Sequence, residues 1–156
     1  MKNISGIKFI DARDIQTTSL KVTEKIQSKY LLQFIKNNLA NQELFITTNS
    51  YFYYTFLEST STYEIIIFNH QDSFNIILEP FLFETLYKDT NPQGYDIFFT
   101  DNYFTVYKNG EFLLLKQITD VSQEDIEIYV SQTYHMDINN VTYIDKTGLG
   151  QLKEKH

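Results

Sequence analysis

The chain has 156 residues, the size of one ordinary domain or of two small halves sharing a core. Its net charge of −7 argues against a phosphate-backbone partner, because non-specific nucleic-acid affinity comes mainly from Lys and Arg releasing counterions, so no nucleic acid is expected. With no cysteine there is no disulfide framework, thiolate metal site or cysteine nucleophile, which fits a cytoplasmic setting.

Thirteen Phe and 12 Tyr with no Trp imply an aromatic, strand-rich core. The N-terminal residues lack the continuous apolar run of a signal peptide, and no window approaches the length of a membrane span, so no direct membrane insertion by this chain is expected.

Ile7 to Ile10 and Ile15 to Val22 read as strands joined around Asp11-Ala-Arg-Asp14. From Thr23, read as the N-cap, the period becomes helical: Ile26, Tyr30, Leu31, Phe34, Ile35 and Leu39 share a face, and the helix ends near Asn37-Asn38. Glu43 to Leu57 reads as two strands split at Asn49-Ser50. Tyr63 to Phe68 is a continuous apolar run of the kind buried on both faces of a sheet. His70 to Ser73 is a turn and Phe74 to Leu78 a strand. Pro80 opens a helix through Lys88, as first-turn prolines do.

The breakers in Asp89 to Gly94 mark a linker, which divides an N-terminal α/β half, residues 1–88, from a C-terminal half, 95–150. That second half carries the clearest local code. Asn109-Gly110, flanked by β-branched and aromatic residues, specifies a tight hairpin, with Ile97-Phe98-Phe99 as a preceding strand. Ser122 caps a helix through Tyr134, with Asp125 at the favourable end of its dipole; Asn140 to Ile144 is a final strand and 151–156 a charged tail. The order strand, strand, helix, strand faintly repeats that of the first half, as in two ribonuclease H-like halves.

Glu79-Pro-Phe-Leu-Phe-Glu-Thr-Leu-Tyr87 followed by Tyr95 to Lys116, with its Lys-Asn-Gly turn, resembles the actin-like cytoplasmic proteins of type IV pilus, type II secretion and DNA-uptake systems, the pilus-assembly M or secretion L class of bacteria. The resemblance covers about forty residues. It implies an α/β fold with mixed sheets and ribonuclease H-like (actin-like) topology. It also implies a non-enzymatic scaffold that docks protein partners of an inner-membrane assembly platform, at the inner face of the membrane. ATP-binding members of that superfamily carry a glycine-bearing phosphate loop, whereas the equivalent turns here, Asp11-Ala-Arg-Asp14 and Thr100-Asp-Asn-Tyr103, have no glycine. No cofactor is therefore expected, and an actin-like ATPase is an alternative reading.

Asp96 and Asp101 are the candidate acids for a second alternative, a metal-dependent phosphodiesterase or nuclease, because a ribonuclease H-like sheet can present carboxylates to two metal ions. In a chain with 20 acids some fall near every strand end by chance, and the negative field opposes a nucleic-acid substrate. His70, His135 and His156 show none of the short spacings of a zinc site, and no Gly-x-Ser-x-Gly elbow exists, so neither a catalytic nor a metal residue is assigned. Tyr51, Tyr53, Tyr54 and Phe56 are the candidate protein-interaction residues: alternate members of a strand point to opposite sides, so half of this aromatic run belongs to the core. The outward half suits a partner, including a second copy in a homodimer.

Overall fold

A computed structural model describes residues 7–42, 44, 49–69, 75–86 and 94–156. The expected strand at the start of Glu43 to Leu57, the turn with His70, and the body of the linker lie outside them. Two layers of sheet enclose an aromatic core, each covered on its outer face by a helix.

The strands are β1 (Ile7–Ile10), β2 (Gln16–Lys21), β3 (Ser50–Leu57), β4 (Thr62–Asn69), β5 (Asn75–Leu78), β6 (Tyr95–Phe99), β7 (Tyr103–Lys108), β8 (Glu111–Gln117) and β9 (Ile138–Tyr143). The α-helices are α1 (Ser28–Ala40), α2 (Gln123–Tyr134) and α3 (Lys146–Glu154), and 3-10 turns span Ala12–Asp14 and Glu79–Leu86. The second half forms a sheet of order β8-β7-β6-β9, antiparallel except that β6 runs parallel to β9. With α2 crossing between β8 and β9, this is the ribonuclease H-like arrangement on which actin-like folds are built.

The first half is put together differently from the repeat that the sequence suggests. β1 and β2 do not form a hairpin: β1 pairs with β5 in parallel, while β2 and β3 flank β4 in an antiparallel sheet. The 3-10 turn at Ala12–Asp14, closed by the Asp14 and Ile15 amides donating back to Asp11 and Ala12, turns the chain away from β1. What the halves do share is a first strand parallel to the last.

Packing explains the sequence patterns. On β4, Tyr63, Ile65 and Ile67 pack with Leu31, Ile35 and Leu39 of α1, while Ile66 faces the central cluster of Leu82, Phe83, Phe98, Tyr103 and Tyr107. Both faces are covered, hence the apolar run, which only Glu64 interrupts, paired with Lys116 at 3.3 Å. Across the second sheet, Ile97, Phe99, Phe104 and Val106 face Ile126 and Val130 of α2. The Phe112 to Leu115 run escapes strict alternation because Tyr107 pairs with Phe112 and Val106 with Leu114, leaving Leu113 as a bulge. Asn109 and Gly110 take φ of 52° and 78°, as the hairpin turn requires.

Three boundaries differ from expectation. α1 begins at Ser28 and not near Thr23, because the Ile26 N–H donates to the buried Tyr63 hydroxyl (2.9 Å), which holds the chain extended before the helix. The helix after Pro80 is a 3-10 turn, where the Tyr107 hydroxyl donates to the Pro80 carbonyl and the Thr85 hydroxyl to that of Leu82 (3.0 Å), in competition with the α-helical ladder. The charged tail at 151–156 is largely α3: Asp145 caps it by accepting from the Gly148 N–H (2.7 Å), and Leu152 is 5% exposed in the central cluster.

Candidate functional site

Both parallel strand pairs point their carboxyl ends at one cleft of about 710 Å³, the place where open α/β sheets take ligands. The segments that follow these four strands line it, Asp11 to Arg13 after β1, Glu79 after β5, Thr100 to Tyr103 after β6 and Ile144 to Lys146 after β9, together with Gln117 to Thr119 at the end of β8 and Leu149, Gly150 and Lys153 of α3. The two glycine-free turns singled out in the sequence thus meet at one site, although they are far apart in the chain.

The centre of the cleft is a carboxylate. Glu79 is 7% exposed; its Oε2 accepts from the Ala12 N–H and from the Tyr103 hydroxyl, both at 3.3 Å, and its Oε1 lies 3.4 Å from the Lys153 ammonium. A buried carboxylate survives only with such compensation, and here it draws one donor each from the first turn, from β7 and from α3. Lys153 also reaches Asp11 (3.9 Å), which pairs with Arg13 (3.4 Å). Burial, and then the neighbouring Glu79 charge, push the Tyr103 hydroxyl far above the usual tyrosine range, so it stays protonated and serves as a donor.

The rest of the cleft is also cross-linked. The Gln117 side-chain amide donates to the carbonyls of Ala12 (3.0 Å) and Ile15 (2.8 Å), which ties the first turn to β8. In the second turn the Asn102 N–H donates to the Thr100 hydroxyl (3.1 Å) and the Thr100 N–H to the Tyr103 carbonyl (2.9 Å). Asp101 accepts from the Tyr143 hydroxyl (2.9 Å), a bond that raises the pKa of that tyrosine.

The two candidate acids are not brought together. Asp101 sits in the cleft, whereas Asp96 is buried at the far end of β6, bonded to the Asn140 side-chain amide (3.1 Å) and separated from Asp101 by roughly 15 Å of extended chain. Among the described residues no group of three or more His, Asp or Glu is placed to hold a metal ion. His135 occupies the left-handed cap of α2 and His156 meets the Phe9 ring edge-on, and neither lines the cleft.

Among the tyrosines of β3, which is an edge strand among the described residues, neither alternate set is wholly outward. Tyr53 packs edge-on to Phe81 and Phe112, while Tyr54 and Phe56 meet Tyr63 on the opposite face. Even so, Tyr51, Tyr53 and Tyr54 remain 51%, 41% and 44% exposed, and Phe56 is half-buried. Sequence reasoning missed the roles of Glu79 and Lys153; the available signal was an acid directly before a buried Pro-Phe-Leu-Phe run.

No family model and no curated protein matches this chain. Among solved structures it is similar to a protein of actin-like ATPase fold and unknown function from Bacteroides thetaiotaomicron, at 12% identity and a TM-score of 0.42, covering 95% of this chain and 64% of that one. It is also similar to the cytoplasmic domain of EpsL, an inner membrane component of the type II secretion system of Vibrio cholerae. There the identity is 9% and the TM-score 0.45, covering 96% of this chain and 74% of that one. The chain thus spans less than two thirds of the first of these proteins.

Proposed function

We propose that this chain is a non-enzymatic interaction module, an actin-like frame that docks other proteins in place of turning over a ligand. The observation that carries the reading is Glu79: the amide, hydroxyl and ammonium that converge in the cleft are already taken up by a side chain of the same molecule. A ligand with phosphates would have to displace that carboxylate and meet Asp11 and Asp101 on the same walls. The docking face we assign to the β3 edge, where Tyr51, Tyr53 and Tyr54 offer broad, amphipathic surface without a charged neighbour in the strand. The partner we assign, on the sequence resemblance of Glu79 to Tyr87 and Tyr95 to Lys116, belongs to an assembly platform at the cytoplasmic face of a membrane. No helix among the described residues is long and apolar enough to cross a membrane.

Thermal melting in the presence of magnesium, and of magnesium with ATP, tests this. The expected midpoint stays within about 1 °C of that of the untreated protein in both cases, since a ligand that binds the folded state raises it. A rise with magnesium alone would instead favour a metal-dependent phosphodiesterase, and a rise that needs ATP an actin-like ATPase.

A further inference from the structure

The groups around Glu79 are those of an oxyanion site. A backbone N–H, a hydroxyl and an ammonium come from three separate elements and converge on one carboxylate that is supplied by a fourth. We propose that Glu79 is the resident anion of a small oxyanion site formed by Ala12, Tyr103 and Lys153, and that a free carboxylate or phosphate ion fills this site once the Glu79 side chain is withdrawn. The inference rests on the reading that the cleft's donors are held internally, and names what would compete for them.

Nothing else within the cleft replaces Glu79. Asp11 lies 3.9 Å from Lys153 and is engaged by Arg13, so it can serve the ammonium, but it is not bonded to the Ala12 N–H or the Tyr103 hydroxyl. Truncation at position 79 therefore leaves two donors without an acceptor beside a volume the size of a carboxylate. Tyr103 is 2% exposed and water reaches it poorly, which favours a small ion of matching shape.

The test compares the wild-type chain, Glu79→Ala and Glu79→Gln by thermal melting in acetate, in phosphate and in chloride at matched ionic strength. In tens of millimolar acetate or phosphate, Glu79→Ala is expected to gain about 3 °C over chloride, while the wild type and Glu79→Gln, whose side chains fill the site, gain less than about 1 °C. Acetate acting alone assigns the site to carboxylates, and both acting assigns it to oxyanions generally. An alanine variant that gains no more than the wild type, or a glutamine variant that gains as much as alanine, overturns the proposal. Should Glu79→Ala fail to fold, Glu79→Gln decides: it is expected to melt several degrees below wild type because Lys153 loses the nearer and more buried of its two counter-charges, and a midpoint within about 1 °C of wild type overturns the proposal. Failure of the wider reading shows separately, as a rise in the wild-type midpoint with ATP.

Discussion

Glu79 binds together segments that the chain keeps far apart, and Tyr103 is the partner whose contribution can be measured by pH. Burial raises the pKa of Tyr103, Tyr107 and Tyr134 above the usual tyrosine value of about 10. Their protonated forms are favoured in the folded state, so the stability they contribute is complete below about pH 10 and is lost as pH rises above it, where only the unfolded chain ionises. Tyr103→Phe removes one such group together with a bond to Glu79. Urea unfolding should show the variant less stable by about 1 kcal/mol at neutral pH, with a shallower fall between about pH 9 and pH 11 than wild type. An unchanged alkaline slope would mean that Tyr103 ionises as freely in the fold as outside it. None of this was legible in the sequence. Acids and tyrosines are plentiful, and only the meeting of the 3-10 turn at Glu79–Leu86 with β7 distinguishes these two.

At the scale of elements, legibility followed locality. The Asn109-Gly110 turn and the Ser122/Asp125 capping box, in which the Asp125 N–H donates to the Ser122 hydroxyl (3.1 Å), are set by neighbours in the chain, and the sequence showed both. The run from Tyr63 to Phe68 was legible too, because burial on both faces leaves its mark in the composition of the strand itself, whatever the partners are. The parallel partner of β1 was not, because β5 lies more than sixty positions away and nothing in Ile7 to Ile10 specifies it. α3 was hidden by Gly148 and Gly150, which weaken the helical signal, although Leu149 and Leu152 share its buried face. If α3 belongs to the core, Leu152→Ala should cost about 2–4 kcal/mol in denaturant unfolding. A loss under about 0.5 kcal/mol would return residues 151–156 to the status of a tail.

For the whole molecule, the fold class could be read from the order of strands and helices, but the site could not. The glycine-free turns were visible as local text, and their meeting in one cleft depends on two parallel pairings of strands remote in sequence. The same architecture leaves the tyrosines of β3 on an edge among the described residues, and none of them lines the cleft. The Glu64–Lys116 ion pair (3.3 Å), largely buried, joins that sheet to β8, so the edge is presented from a braced surface. The central claim is that partners meet this edge and that the donors of the cleft stay engaged by Glu79. Its most direct test is a photo-crosslinking residue placed at Tyr54 on the edge or at Asn102 in the cleft, in the native host. The account predicts a discrete higher-mass adduct from position 54 and none from 102; an adduct from 102, or none from 54, would contradict it.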